Sequence, residues 1–483
     1  MNTWLDRRRS GVLLHITSLP GPQPCGTLGA EARAFVSDIV KGGFSVWQFL
    51  PLGPTHDHGS PYESLSTFAG NPALIDLREL AAENWADADV SNLEQAADCF
   101  WQAVKKNTQL AADVNEFTRK NNDWLDDFAL FTALKKSNGG KAWWQWDDAL
   151  RNRQAQALQA ARKTSQKEQR QVIFEQFMFA RQMQALKSYA ESQGVILFGD
   201  LPIYVAHDSA DVWANQALFT VNEDGLCDQV AGVPPDYFSE NGQRWGNPLY
   251  RWDAHESSDF AWWIRRVKAQ FSRMHLLRVD HFRALEAYWS IPGEYQNGKI
   301  GEWIKAPGDK LLTALQNALG NLPIAAEDLG LITPEVIALL DAFGLPGMKV
   351  LQFAFDGMAD NPYLPGNFGP NSVIYTGTHD NDTSMGWFAE RSEEEITRLG
   401  EHADLSGAAM PWPLIKLAIE SEARLAIIPM QDLLALDTKA RFNTPGTVDN
   451  NWQWRMGETT NTHDMWSRAR ELNLRSCRVI EST

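Results

Sequence analysis

The sequence is poor in cysteine. Its 483 residues include only 4 cysteines, at positions 25, 99, 227 and 477. None of them belongs to a CxxC pair, so the sequence predicts neither a zinc knuckle nor a disulfide framework. The four are typical of reduced thiols, and we expect a cytoplasmic protein.

Long apolar runs and long basic runs are also missing. No 18 consecutive apolar residues occur, which argues against a membrane-spanning helix. The apolar run of residues 11–20 is interrupted by polar side chains and has no small-residue cleavage site behind it, so we expect no signal peptide. The longest basic run is the three arginines at 7–9, and the formal net charge is −17. We therefore expect a small or neutral partner, and neither a nucleic acid nor an anionic membrane.

The motifs of several enzyme classes are absent from the sequence. There is no GxSxG serine-nucleophile motif, no HExxH pair, and no GxGxxG or P-loop in a strand–turn–helix context. We therefore expect no cofactor and no catalytic metal. A calcium site built from scattered oxygen ligands would leave no such motif and stays open.

Eight short apolar runs are the main feature that is present. Each ends in polar, Gly or Pro residues, and most are separated by enough residues for a helix. Continuous apolar character is typical of strands buried on both faces, as in a parallel sheet covered by helices. Eight such strands predict an α/β fold, a (β/α)8 TIM barrel. The runs cover residues 12–16, 45–50, 195–200, 276–282, 323–327, 348–355, 373–378 and 424–430.

Two gaps between the predicted strands are too long for a single helix. Residues 80–190 carry apolar residues at helical spacing and predict a large helical insertion between strands 2 and 3. In the gap 206–272, Pro, Gly and Asn interrupt residues 232–250 too often for a helix or a central strand, which predicts a long substrate loop. The predicted division is a first barrel part at 1–79, the insertion at 80–190, and the rest of the barrel at 191–483.

Acidic residues follow four of the predicted strands. A barrel builds its active site at the carboxyl ends of its strands, and these positions hold Asp200, Asp280, Glu327 with Asp328, and Asp380. A single Asp after a strand is more often a turn or helix-cap residue, but four together favour catalysis. Cleavage of a glycosidic bond with retention needs one ionised and one protonated carboxyl group.

Spacing alone assigns few of the individual roles. Arg278 lies two residues before Asp280, on the same face of an extended strand, and could keep Asp280 ionised. Glu327 and Asp328 point to opposite faces, and spacing does not choose between them. His281 and His379 lie beside Asp residues, but we interpret them as hydrogen-bonding partners of a polyol rather than as metal ligands.

Tryptophan is unusually common, with 20 residues against 9 tyrosines. An indole ring in a loop offers a flat apolar face to a sugar. Trp245, Trp452 and Trp454 lie in such loops, although each could equally fill a core edge. For the tryptophans at positions 143, 144 and 146 in the helical insertion we expect packing.

Long ordered motifs along nearly the whole chain resemble those of glycoside hydrolase family 77, the 4-α-glucanotransferases also called amylomaltases or disproportionating enzymes. The motifs lie at residues 17–22, 47–52, 60–62, 68–72, 199–203, 232–250, 278–282, 326–330, 376–380 and 451–455. The resemblance implies retaining, two-step transfer on maltooligosaccharides and α-1,4-glucans, with glucose as acceptor or product.

The resemblance also implies roles for single residues. Asp280 would be the nucleophile, Glu327 the general acid and base, and Asp380 the stabiliser of the transition state. The other implied positions bind the sugar chain, and a flap at residues 234–238 would cover it. These binding residues are Tyr62, Asp200, Asp236, Trp245, Arg278, His281 and His379. Asp208 stays open as an alternative to Asp200.

Two other functions are weighed against glucan transfer. A maltooligosaccharide hydrolase on the same barrel would need the same three carboxylates and would differ in its products. A glucan-binding barrel without catalysis would be expected to lack the acid or the nucleophile, but Glu327 and Asp280 are both present. The resemblance to family 77 favours the transferase over both.

Overall fold

The structure is a computed structural model that describes residues 6–82, 92–235, 239–447, 449–457 and 462–479. Its strands are β1 (Arg9–Leu13), β2 (Val46–Gln48), β3 (Ile196–Leu201), β4 (Gln229–Val233), β5 (Gln243–Pro248), β6 (Leu276–Val279), β7 (Ala287–Pro292), β8 (Glu302–Lys305), β9 (Ile324–Ala326), β10 (Gly347–Val350), β11 (Ser372–Tyr375) and β12 (Leu425–Pro429). Eight of these strands form a closed barrel in the order β1-β12-β11-β10-β9-β6-β3-β2, in which every neighbouring pair is parallel. The predicted (β/α)8 barrel is confirmed.

Each of the eight predicted runs contributes to one barrel strand. The first strand starts at Arg9, three residues before its predicted start, because Ser10 and Gly11 interrupt the apolar pattern while still pairing with β12. A side chain at Gly11 would place its Cβ 2.6 Å from the carbonyl oxygen of Val46. Only glycine therefore lets β1 approach β2 this closely.

The barrel interior is a packed core rather than a pore. Apolar side chains from the barrel strands fill it, and Phe442, from the chain after β12, joins the same cluster. Tyr62 and Trp452 pack on this cluster while remaining partly exposed. The apolar filling therefore ends beneath the loops that carry the predicted site.

Local sequence determines several helix ends. Asn92 caps α3 by accepting a hydrogen bond from the backbone of Gln95, and Asn107 ends α3 and caps α4. None of the helices in the described ranges combines the length and apolar character that a membrane span needs. The α-helices are α1 (Ala30–Lys41), α2 (Leu77–Ala82), α3 (Leu93–Lys106), α4 (Thr108–Lys120), α5 (Leu125–Ser137), α6 (Asp148–Arg151), α7 (Ala155–Thr164), α8 (Gln166–Ser192), α9 (Ala210–Ala214), α10 (Trp252–Ser257), α11 (Ala261–Arg273), α12 (Gly308–Leu319), α13 (Pro334–Phe343), α14 (Ser384–Ala389), α15 (Glu393–His402), α16 (Trp412–Glu420), α17 (Met430–Leu433) and α18 (His463–Arg475).

The chain between β2 and β3 contains α2 to α8 within the described residues. The 27-residue helix α8 packs on α3 and α5, and also on α1 and β3 of the barrel. It therefore belongs both to the helical segment and to the layer of helices around the barrel. The boundary that we predicted at residue 190 between the helical insertion and the rest of the barrel stays a prediction, and α8 extends across it.

The second long gap holds more regular structure than we predicted from its sequence. Strands β4 and β5 form an antiparallel pair and continue with β7 and β8 into a sheet of order β5-β4-β7-β8. The expectation of no central strand is wrong at Gly232 and Val233, which end the central strand β4. A register shift between Val230 and Gly232 accommodates the irregular sequence.

Candidate active site

The guanidinium group of Arg278 brings three of the predicted carboxylates together. Its Nη1 lies 2.5 Å from Asp200 Oδ2, and its Nη2 lies 2.8 Å from Asp280 Oδ1 and 3.4 Å from Glu327 Oε2. The cause is topological, because β3, β6 and β9 are neighbours and Asp200 pairs in register with Arg278. The Arg278 side chain is only 4% exposed. A buried arginine is thus held by carboxylates from adjacent strand ends.

The structure separates Glu327 from Asp328, which spacing could not do. Glu327 Oε2 accepts a hydrogen bond of 2.5 Å from the backbone N–H of His281 and faces Arg278. Asp328 points away, where Oδ1 accepts a hydrogen bond of 2.6 Å from the backbone of Met348. Asp328 therefore stabilises the start of β10, while Glu327 belongs to the carboxylate cluster.

Asp380 lies on the loop after β11 and is the most exposed of the three catalytic candidates, at 43% of its side chain. Its Oδ1 accepts a hydrogen bond of 2.6 Å from Asn443 Nδ2, and its carbonyl oxygen accepts one of 2.7 Å from Arg441. Its Oδ2 lies 3.3 Å from His379 Nε2. Burial is the main cause that raises the pKa of Asp280 and of Glu327, and the charge of Asp380 adds to both shifts, so the three carboxylates share one site.

Tyr62 and His379 form one wall of this site. Their rings are stacked, with centroids 5.2 Å apart and planes at 13°. The Tyr62 hydroxyl donates a hydrogen bond of 2.7 Å to Asp200 Oδ2 and lies 3.4 Å from Arg278. This contact links the loop after β2 to the Arg278 cluster.

Trp245 and His281 stand together at another edge of the site. The Trp245 ring meets the His281 ring edge to face, with centroids 4.7 Å apart. His281 has a left-handed backbone, at φ 50°, and the buried Nε2 of its ring has no hydrogen-bond partner in the structure. A buried donor or acceptor without a partner is available to a ligand hydroxyl.

Burial is the largest cause of the pKa shifts of the catalytic pair. It raises the pKa of Glu327 and raises that of Asp280 well above its usual value, and Arg278 opposes both effects. Because the two groups interact, ionisation of one favours retention of the proton by the other. The positive charge of Arg278 lies closer to Asp280, at 2.8 Å, than to Glu327, at 3.4 Å, and therefore stabilises an ionised Asp280 more strongly.

Both histidines of the site are neutral at neutral pH. Burial lowers the pKa of His281 to about 3 and also lowers the pKa of His379. Each ring therefore offers one donor and one acceptor nitrogen. This suits hydroxyl groups, which both donate and accept.

The structure places Asp200 and Asp208 in different surroundings. Asp208 Oδ2 lies 2.5 Å from Lys135 Nζ of α5, and Oδ1 accepts a hydrogen bond of 3.3 Å from the backbone of Trp143. These contacts tie the loop after β3 to the helical segment. The geometry favours Asp200 as the member of the site. Asp236 and most of the predicted flap at 234–238 lie outside the described residues.

Sequence reasoning missed the contribution of the chain after β12. Asn443 and Arg441 bind Asp380, and the Trp452 ring lies 5.9 Å from the Tyr62 ring. In the sequence, Trp452 is only one of several loop tryptophans, and no spacing rule marks Asn443. The signal in the sequence for a role of this part of the chain is the family motif at residues 451–455.

No group of three or more His, Cys, Asp or Glu side chains in the described ranges is arranged to hold a metal ion. Two carboxyl groups of the site meet at one nitrogen of Arg278. Asp280 Oδ1 lies 2.8 Å and Glu327 Oε2 lies 3.4 Å from Arg278 Nη2. A pair of Asp or Glu residues at the strand ends of a barrel is what most enzymes that cleave glycosidic bonds use. Barrel and site together define an enzyme that acts on glycosidic bonds.

Comparison with known proteins identifies the family. Residues 14–460 match the sequence profile of glycoside hydrolase family 77, described as 4-alpha-glucanotransferase. A 4-alpha-glucanotransferase of Thermus thermophilus is 46% identical over 96% of this chain and 98% of its own length. The corresponding enzyme of Synechocystis is 45% identical over 93% of this chain and 94% of its own. The chain belongs to glycoside hydrolase family 77 and is a 4-α-glucanotransferase by family.

A solved structure supports the same assignment. The amylomaltase from Streptococcus agalactiae, determined in complex with acarbose, superposes with a TM-score of 0.94. It is 36% identical and is matched over 98% of this chain and 100% of its own. The hydrolase alternative is therefore not favoured.

Proposed function

We propose that this protein transfers α-1,4-glucan segments between maltooligosaccharides by double displacement, with Asp280 as nucleophile and Glu327 as acid and base. The observation that carries the proposal is the shared contact of these two carboxylates with Arg278 Nη2. It brings both carboxyl groups to one point, and Arg278 lies nearer to Asp280 than to Glu327, which supports Asp280 as the ionised member of the pair that retention requires.

In the first step an oxygen of Asp280 attacks C1 of the donor sugar. The bond between C1 and the leaving O4 breaks, and protonated Glu327 gives its proton to that oxygen. The products are a β-glycosyl ester on Asp280 and a shortened chain with a free 4-hydroxyl group. Arg278, 2.8 Å from Asp280, holds the nucleophile ionised and oriented before the attack.

In the second step the 4-hydroxyl group of an acceptor attacks C1 from the opposite side. Glu327, now ionised, takes the hydroxyl proton, and the ester bond to Asp280 breaks. Two inversions give net retention of the α-linkage. Glu327 returns to its protonated form, so the cycle needs no cofactor.

The remaining residues of the site bind and orient the donor sugar. Asp380 carries the negative charge nearest to solvent and would stabilise positive charge on the sugar ring in the transition state. Tyr62, Asp200, His281 and His379 supply hydroxyl-binding groups around it. Acarbose, the ligand of the Streptococcus agalactiae relative, is expected to bind in this cleft.

Transfer requires that a sugar hydroxyl reacts faster than water does. A sugar gains this advantage through binding on the acceptor side and through exclusion of water. Trp245, placed against His281 at the edge of the site, would provide an apolar face to the acceptor. The family resemblance adds Asp236 and the 234–238 segment to the residues that we propose contact the glucan.

The test is an incubation with maltotriose alone, without added metal, followed by separation of products by chain length. We expect glucose together with maltopentaose and longer chains, with little increase in total reducing ends. Glucose and maltose with a steady increase in reducing ends would replace the transferase by a hydrolase. Bound but unchanged maltotriose would indicate a binding protein.

The cellular context is inferred separately. Maltooligosaccharides and longer α-1,4-glucans would be the partners, with glucose as a further acceptor. All four cysteines are free in the structure, and we propose that the enzyme acts in the cytoplasm.

A further inference from the structure

The chain after β12 contacts the site at several points, although the sequence assigned it no catalytic residue. We call its described residues 441–447 and 449–452 the clasp loop. Its Arg441 and Asn443 hydrogen-bond Asp380, as described above. Its last residue, Trp452, meets the Tyr62–His379 wall of the site. One loop therefore contacts both Asp380 and the stacked pair of rings beside it.

Trp452 lies against both rings of the stacked pair. Its ring centroid is 5.9 Å from that of Tyr62 and 6.1 Å from that of His379, at interplanar angles of 45° and 37°. Phe442 meets the same indole edge to face at 5.6 Å. The indole thus occupies the space between the barrel core and the Tyr62–His379 stack.

The two rings that Trp452 contacts, those of Tyr62 and His379, carry polar groups of the site. Tyr62 donates its hydrogen bond to Asp200, and His379 Nε2 lies 3.3 Å from Asp380. A tilt of either ring would move those polar atoms relative to the donor sugar. Small misplacements of this kind are costly, because catalysis depends on the alignment of the reacting atoms.

The backbone at Trp452 is strained. Its φ of 66° lies in the left-handed region, which bulky residues rarely adopt. The conformation is held by a hydrogen bond of 2.7 Å from Trp452 N–H to the carbonyl of Phe442. The side chain of Asn451, 6% exposed, also braces the loop through Thr444 and Thr447. Strain maintained by such surroundings is characteristic of functional sites.

We propose that Trp452 is a positioning residue for glucan transfer. It acts through Tyr62 and His379, whose stacked rings it fixes relative to Asp200 and Asp380. The proposal rests on the proposed function and adds a residue from the clasp loop to the site.

Trp452→Gly is the central variant, because glycine adopts the left-handed backbone freely and so removes the ring without adding strain. Should this variant fail to fold, Trp452→Asn replaces it, since asparagine also tolerates this backbone. Trp452→Phe retains a ring. Trp454→Leu is the matched control, because it removes an indole that lies two residues beyond the clasp loop and also packs on the barrel core.

The readouts are kcat and KM for maltotriose disproportionation, the affinity for acarbose, and Tm. We expect Trp452→Gly to lower kcat/KM by roughly ten- to a hundredfold, mainly through kcat, and to weaken acarbose binding. Trp452→Phe should recover most of this loss. Trp454→Leu should lower Tm without lowering kcat.

A double-mutant cycle tests the route of the effect. In a Tyr62→Ala or a His379→Ala background, removal of Trp452 should cost less than in the wild type, because the ring it supports is gone. Wild-type kcat in Trp452→Gly, or losses that simply multiply in both backgrounds, would overturn the inference. A wild-type protein without disproportionation would instead overturn the proposed function.

Discussion

Asp280 and Glu327 are chemically similar side chains, and their surroundings make them different. Both are partly buried beside Arg278, but the arginine lies 2.8 Å from Asp280 and 3.4 Å from Glu327. Ionisation of one opposes ionisation of the other, since both are carboxylates in one poorly solvated site. At the scale of residues, the pair can therefore hold one ionised and one protonated carboxyl group, which the proposed roles of nucleophile and acid require.

Replacement of Glu327 by glutamine tests this division of roles. Glu327→Gln should lower kcat with maltotriose by roughly 10²- to 10⁴-fold, because the leaving oxygen loses its proton donor. Maltosyl fluoride, whose leaving group needs no proton, should still form the glycosyl enzyme, and azide should release it without a base. Turnover of maltosyl fluoride with azide is the measurement.

Asp328→Asn is the matched control for that experiment. Its side chain binds the backbone of Met348 and faces away from the cluster. The variant should lose stability while keeping its kcat. A Glu327→Gln enzyme with normal maltotriose turnover, or a failed rescue by azide in a folded protein, would contradict the assignment.

At the scale of elements, the short helix α10 carries a buried histidine, His255, that lies outside the carboxylate site. His255 is enclosed by aromatic rings, with Tyr250 at 5.3 Å and Trp262 at 5.9 Å between centroids. Burial is the main cause that lowers the pKa of His255 to about 4. The neutral ring is therefore the form that fits this aromatic cluster.

A pH-dependent loss of stability is expected from His255. Its folded-state pKa is below the unfolded value of about 6.5, so unfolding takes up a proton below that pH. The contribution is complete above pH 6.5 and is lost as the pH falls towards 4. Urea denaturation measures the free energy of unfolding at pH 7.5 and at pH 4.5. The decrease between these two pH values should be about 2–3 kcal/mol smaller in His255→Leu than in the wild type. Equal pH dependence in both proteins would contradict this origin.

At the scale of the whole molecule, the end of the chain closes the amino-terminal face of the barrel. Arg478 is completely buried and donates hydrogen bonds to the carbonyl oxygens of Arg9, Ile419, Ser421 and Ala423. It thereby joins the start of β1 to the chain before β12. This face is opposite to the catalytic site.

Removal of Arg478 should therefore lower stability without changing catalysis. Arg478→Met leaves several buried carbonyls without donors and should reduce the free energy of unfolding by about 3 kcal/mol or more. Urea denaturation measures this loss, and kcat at 25 °C should equal that of the wild type. Arg475→Met, which removes an exposed ion pair with Glu471, is the control and should change stability by less than about 0.5 kcal/mol. A large kcat change with unchanged stability would contradict this role.

The sequence by itself determined the barrel, and it selected the carboxylates that we propose as catalytic. Strands buried on both faces leave continuous apolar runs, and parallel strands bring their carboxyl ends to one face of the barrel. Residues such as Asp280 and Asp380 could therefore be selected from their positions after such runs. Spacing did not choose between Glu327 and Asp328 as the proposed acid, and the family motifs selected Glu327. The contacts of both side chains in the structure support this choice.

Only the tertiary structure decided which distant segments complete the site. Asn443 reaches Asp380, and Trp452 reaches Tyr62 and His379, because the chain folds back over the barrel after its last strand. Such contacts join residues that are separated by tens or hundreds of positions, and no local pattern records them. The strand β4 was missed for a similar reason, since pairing with β5 and β7 stabilises a sequence that is irregular in isolation.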